Sequence, residues 1–209
     1  MKKINKQIEE NPLTKEERRA QFIENTEKMG IKHSFTFDEA WEIGELIRKK
    51  YEYREKIIEF EKQLLSMDGA LVGKELDKVN PLKHSFADGC YIREIFIPAN
   101  TLLISKIHKT THPFFFVEGE VSILTEDGVV HLKAPHNSIT LAGTKRVLYT
   151  HTNCRFITVH VTGSTDLQEI ENEVIAKDFS DEEISLENIE LLKKEITLKK
   201  EGGELLPHP

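Results

Sequence analysis

His108 and His112 stand four positions apart in Ile107-His108-Lys109-Thr110-Thr111-His112-Pro113. Imidazole is the commonest biological ligand for zinc, nickel or iron, and it serves as an acid or base near neutral pH. On a helix this spacing would put both rings on one face. Pro113 and the apolar runs on either side argue instead for a bend between two strands. A metal held there would need a third ligand from a distant strand, with His160, His151 and Glu120 as candidates. The set carried forward for a divalent metal is His108, His112 and His160.

The same stretch supports a second chemistry. Lys106 lies two residues before His108, and Arg146 lies beyond the next turns. If strand alternation holds, both point inward with the histidines. A pocket of Lys106, His108, His112 and Arg146 would favour a small anionic molecule, since guanidinium offers a planar fork for carboxylate or phosphate and ammonium a point charge. The competing arrangement is internal pairing of these cations with Glu94, Glu118 or Glu120. Of Arg93-Glu94, alternation sends only one inward, and a surface charge pair is the commoner outcome. Phe114, Phe115 and Phe116 suit core and wall positions. No Gly-rich phosphate loop, Ser/His/Asp set or Cys-x-x-Cys is present.

The elements that must position these groups are short strands. Segments near 91–97, 101–108, 114–118, 120–126, 128–133, 137–141, 145–150 and 154–162 alternate or run apolar, with Gly, Pro and Asn between them. Glu126-Asp127-Gly128 carries the Asp-Gly hairpin signal. Eight such strands imply a small barrel or jelly roll. Helical patterns flank them. Thr14-Lys15-Glu16-Glu17 is a capping box opening a weakly apolar helix that would be ordered against a partner. Thr36-Phe37-Asp38-Glu39 is a second, opening a helix expected to run to about Met67 and to stop at Gly69. Its apolar stripe would cover either the chain's own barrel or a second copy. Residues 70–90 read as a connector. Asp166-Leu167-Gln168-Glu169 opens a further helix, Ser180-Asp181-Glu182-Glu183 another, and Gly202-Gly203 begins a tail expected to be disordered. The chain thus divides into 1–80 (helical arm and connector), 81–163 (β-barrel) and 164–209 (acidic helices and tail).

At 209 residues, with 38% hydrophobic and 31% charged residues, the chain suits one core carrying solvated arms. The acidic segment from Asp166 onward accounts for the net charge of −7. No basic face supports nucleic-acid binding, and no apolar run reaches membrane length. Cys90 and Cys154 fit two reduced, half-buried thiols in a cytoplasmic protein, and their spacing does not argue for the alternative, a disulfide.

The block Ile97 to Val161 resembles the cupin superfamily, a double-stranded β-helix jelly roll. More narrowly, PLKHSFADGCYIREIFIP, KIHKTTHP, AGTKRVLY and TVHVTGSTDLQEIE resemble small cupin-like proteins encoded by tailed bacteriophages. The resemblance implies a mainly β fold flanked by N- and C-terminal helices, barrels that pair into homo-oligomers, and a place in the host cytoplasm or virion, beside other phage proteins. Cupin enzymes bind one divalent metal with three histidines and a glutamate. Anchored on Gly119, that pattern puts His108 in the second histidine slot, Lys106 in the first, Thr111 at the glutamate with His112 beside it, and Arg146 at the third histidine. Two ligand slots therefore hold cations. This favours a binding or assembly module with an anion pocket over a metal-dependent isomerase or oxygenase.

Overall fold

The computed structural model describes residues 13–30 and 36–201. The chain forms two compact units, Met1–Leu46 and Ile47–Pro209.

In the first unit, helix α1 (Lys15–Met29) starts at the expected capping box. The Thr14 side chain accepts from the Glu17 backbone and Glu17 reaches back to Thr14. Gly30 ends it in the left-handed conformation at φ 61°. None of its residues is buried. Phe22 instead meets Phe37 with ring centroids 5.6 Å apart, and Lys15 and Arg19 both pair with Asp38. Helix α2 (Phe37–Leu65) opens at the second capping box, where Thr36 and Glu39 exchange hydrogen bonds. It stops two residues before the expected Met67.

The second unit holds the remainder of α2 and all the strands. Residues 47–65 of α2 lie against the chain's own β-structure. Lys50 is buried between Glu126 and Glu195, at 3.0 Å from each. The Tyr53 hydroxyl donates to the Leu124 and Lys145 carbonyls, and Arg54 donates to the Ile184 carbonyl. The covered face of this helix thus joins Ile57 of the apolar stripe to the charged Lys50 and Arg54, and periodicity of apolar residues does not reveal the charged part.

The connector expected over 70–90 contains helix α3 (Gly73–Val79) and strand β1 (Leu82–Ala87). Ten further strands follow: β2 (Cys90–Ile97), β3 (Leu102–Ile104), β4 (Ile107–His108), β5 (His112–Glu118), β6 (Glu120–Thr125), β7 (Gly128–Lys133), β8 (His136–Thr140), β9 (Val147–Thr150), β10 (Cys154–Val161) and the short β11 (Ile175–Ala176). The strand expected over 101–108 is thus two pieces, β3 and β4, which pair with different partners. One sheet runs β1-β2-β10-β5-β8 and the other β3-β9-β6-β7, all antiparallel. Setting aside the edge strand β1 and the short β4 and β11, eight strands remain. In chain order the first lies beside the eighth, the eighth beside the third and the third beside the sixth. In the other sheet the second lies beside the seventh, the seventh beside the fourth and the fourth beside the fifth. That is the order of a double-sheet jelly roll with two Greek keys.

The two inner faces share one core of Ile97, Phe116, Val121, Ile123, Leu132 and their neighbours. Each such side chain, fully withdrawn from water, contributes about 1.5–3 kcal/mol. At Gly119, between β5 and β6, φ is 103°, and a Cβ would collide with the Asn153 carbonyl, so only glycine fits the turn.

After the strands, α4 (Leu167–Val174) is capped by Asp166 as expected, and buries Ile170 and Val174 against Tyr91. The helix expected from Ser180 is instead a single turn, Glu182–Ile184, capped by Asp181, while α5 (Ile189–Lys200) starts afresh from Asn188. The Ser180 hydroxyl is engaged with Asp178, and Ser185 is extended, which breaks the continuation. The tail beyond Glu201 lies outside the described residues. Cys90 and Cys154 are both free thiols. Among the described residues no helix is long and apolar enough to cross a membrane.

Candidate metal and ligand site

Three inward positions on three different strands bring His108, His112 and His160 together. On β2, Tyr91, Arg93, Ile95 and Ile97 share the inner face. On β10, His160, Thr158 and Phe156 lie opposite Tyr91, Arg93 and Ile95. On β5, His112 and Phe114 continue the rows, with Thr140 of β8 beside His112. The inner face of this sheet therefore grades from a row of Tyr91, His160, His112 and Thr140, through Arg93 and Thr158, to the apolar core.

His108 comes from β4 and is fixed twice. Its strand pairs with β11, placing Ile175 opposite it, and its carbonyl accepts from the Gly143 amide at 2.8 Å. The segment after α4 therefore holds one of the three histidines in place, and the C-terminal arm is part of the site.

The ring centroids lie 4.3 Å apart for His108 and His112, 4.4 Å for His112 and His160, and 5.2 Å for His108 and His160. One ring nitrogen from each lies within 4.8 Å of the others, and all three residues are buried. Tautomers follow from the partners. His112 Nδ1 sits 3.0 Å from the Thr110 carbonyl, which can only accept, so Nδ1 carries the proton and Nε2 keeps its lone pair. His160 Nε2 lies 3.1 Å from the Thr158 hydroxyl, while its Nδ1 is buried with no hydrogen-bond partner; His108 Nε2 is buried with none either. Burial pushes all three imidazoles down: His108 well below its usual value, His112 to about 4 against the opposing Thr110 hydrogen bond, and His160 to about 3; neighbouring imidazoles add to this at His108 and His160, Arg93 at all three and Arg146 at His108 and His112. Three neutral rings, each with a ring nitrogen within 4.8 Å of the others, form a donor set of the kind a divalent transition metal takes.

A cavity of about 180 Å³ lies beside the cluster between the two sheets, and His108, His112, Arg93 and Arg146 all line it. A smaller one of about 60 Å³ is also lined by Arg93 and His108, together with His160, so this group forms the partition between them. The Arg93 side chain makes no hydrogen bond or ion pair among the described residues. Arg146 donates to the Thr140 hydroxyl at 3.2 Å and lies over the Phe114 ring at 5.8 Å, with no carboxylate in ion-pair reach. Burial lowers its pKa to about 10, so it stays charged at neutral pH.

The acidic groups expected to neutralise Arg146 are otherwise engaged. Glu94 and Glu118 both pair with Arg155, and Glu120 pairs with Lys133. Lys106, expected to point inward beside His108, has a half-exposed side chain at the edge of the cavity and is ion-paired with Glu171 on α4. The irregular backbone between β3 and β4 breaks the alternation that would have turned it inward. His151, weighed as a third ligand, is exposed on the outer face, and Glu120 lies there too. Arg93 is the residue that sequence reasoning undervalued. Its inward parity follows from Tyr91 and Ile97 on the same strand, both apolar enough to mark the core face.

No protein-family model matches the chain, and no curated protein sequence does. Solved structures do show a likeness. Ectoine synthase from P. lautus is 14% identical over 51% of this chain and 88% of that one, with a TM-score of 0.39. A cupin-2 domain protein from Shewanella frigidimarina is 12% identical over 39% of this chain and 79% of its own, with a TM-score of 0.33. The cupin domain of Schizosaccharomyces pombe Cnp3 is 15% identical over 48% and 74%, with a TM-score of 0.34. These are loose likenesses, and the jelly-roll assignment stands on the strand order alone.

Proposed function

We propose that the protein is a small-molecule-binding jelly-roll module whose pocket is centred on a divalent transition metal held by His108, His112 and His160. The observation that carries this is the pair of buried ring nitrogens, on His108 and His160, that no protein group satisfies. Orphaned polar atoms of this kind are costly, and a metal would satisfy both at once. Three neutral ligands leave the ion's full charge uncompensated, beside two guanidinium groups. The site therefore calls for an anion as a further ligand, drawn from the cavity side. When bound, the metal would supply Lewis acidity to that ligand. The chain's own groups would orient it: Arg93 and Arg146 by charge, Thr140 and Thr158 by their hydroxyls.

A second reading keeps the anion pocket and dispenses with the metal, making the barrel a binding or assembly scaffold. The two unpaired guanidiniums favour it, because they would repel a cation. Phage origin, self-association and a place in the host cytoplasm or virion are parts of this same proposal and rest on the resemblance of the four segments quoted above. Metal analysis of protein purified without a histidine tag separates the readings. About one equivalent of zinc, nickel or iron per chain supports the metal centre, and none after equilibration with each ion leaves the scaffold reading.

A further inference from the structure

We infer that the cavity beside the histidines takes a small hydrophobic carboxylate, its head between Arg93 and Arg146 and its tail on the apolar floor between the sheets. The inference deepens the reading of this cavity as a ligand site and does not depend on the metal.

Two features of the cavity decide the chemistry. The first is charge. Arg93 comes from β2, and Arg146, which immediately precedes β9 in the other sheet, reaches across to Thr140 of β8 and Phe114 of β5, so both guanidiniums line the cavity. Neither has a carboxylate partner among the described residues, although Glu94, Glu118 and Glu171 all find cations elsewhere. A half-buried guanidinium without a counter-charge is a costly arrangement, and a bound anion relieves it. Guanidinium presents paired donors that match a carboxylate in two-point contact. Asp77, exposed on α3, also lines the cavity and marks its mouth.

The second feature is the floor. Beyond the arginines the lining is Ile97, Leu103, Ile123, Leu148 and Phe156, residues that belong to or pack on the hydrophobic core. Inorganic phosphate or sulfate would leave that surface uncovered, whereas an aliphatic or aromatic tail fills it. A cavity of about 150 Å³ holds benzene, so the present one suits a ligand of roughly six to ten non-hydrogen atoms. Benzoate and hexanoate are of that size.

Calorimetric titration of the full chain with benzoate, hexanoate, benzamide, hexanamide and inorganic phosphate tests this, once in EDTA and once after equilibration with zinc. Saturable one-site binding of the carboxylates is expected, with each amide weaker by about tenfold or more and phosphate weaker than either carboxylate. Arg93→Lys and Arg146→Lys should each weaken carboxylate binding by about tenfold and leave the amides unchanged. The comparison of acid with amide on the unaltered protein stands even if an arginine variant fails to fold. Equal affinity for acid and amide, tighter binding of phosphate, or no saturable binding in either condition would overturn the inference. Carboxylate binding in EDTA with no zinc uptake would sink the metal centre and leave the clamp standing. Zinc uptake with no carboxylate binding would do the reverse.

Discussion

Two clusters of histidines, one between the sheets and one on an outer face, differ in nearly every physical respect. His108, His112 and His160 point between the sheets, are buried, and leave two ring nitrogens without partners. His131 and His151 stand on the outer face of the four-stranded sheet, both exposed, with ring centroids 5.1 Å apart. Between them the Ser122 hydroxyl lies 2.8 Å from His151 Nε2. The exposed pair is open to solvent, and nothing there needs a ligand. In the buried group the same side chain is held neutral, with a ring nitrogen of each histidine within 4.8 Å of the others. Strand parity, rather than residue type, separates a candidate metal centre from a solvated surface.

The largest effect that would break this contrast is on metal affinity. His160→Ala and His108→Ala should each lower affinity for zinc or nickel by at least about a hundredfold, since a three-ligand site loses a ligand. His151→Ala should leave it unchanged, and Arg146→Ala should leave it unchanged or tighten it by removing a positive charge. Competition with a chelating dye reads all four. Equal losses in His160→Ala and His151→Ala would erase the distinction.

Acid sharpens the contrast through stability. In the metal-free protein His112 and His160 take up protons only near pH 4 and 3, whereas the unfolded chain does so near about 6.5. Between those values the unfolded chain binds more protons, so stability falls as pH falls through this window. The loss is on the order of 3 kcal/mol for each buried histidine across the window, were both shifts fully expressed. Urea midpoints from pH 7 to 4 should fall steeply in the wild type and less so in His160→Gln. A flat wild-type profile would show that the buried rings are solvated.

A third contrast concerns the outer faces. Phe115, Val117 and Val161 are exposed on the outer side of the five-stranded sheet, with Ile92, Ile157 and Val159 half-buried beside them. Apolar surface of this kind on a sheet face suits a second copy. Light scattering should give a dimer or larger, and Val117→Glu should shift it toward the 24.1 kDa monomer. A wild-type monomer at micromolar concentration would reject self-association. The smallest effect is expected at the C-terminus. Deleting 202–209 should move the melting temperature by under about 1 °C, whereas a cut at 198 would also remove Lys199, which pairs with the buried Glu195 at 3.0 Å.

How much of this was legible in the sequence follows from what alternation can and cannot carry. All three histidines of the cluster could be named, because His108 and His112 share a short segment and His160 ends an alternating strand. The main strands could be placed, because turn residues bound them. Arg93 and Lys106 exchanged roles, since parity counts only within an unbroken strand: β2 is continuous through Arg93, and the chain between β3 and β4 is not. The packing of residues 47–65 through Lys50 and Arg54 was hidden for another reason. An apolar stripe reports hydrophobic burial, as at Ile57, but not a lysine buried between two carboxylates or an arginine on a carbonyl and an aromatic ring. Nor could the sequence show that Ile175 lies opposite His108, because a two-residue strand leaves no period to detect.

The most direct test is the metal content of tag-free protein equilibrated with one equivalent of zinc or nickel and then gel-filtered, for wild type and His160→Ala side by side. The account predicts about one ion per chain retained by the wild type and none by the variant. A wild type that retains no metal, or a variant that retains as much as the wild type, would contradict it.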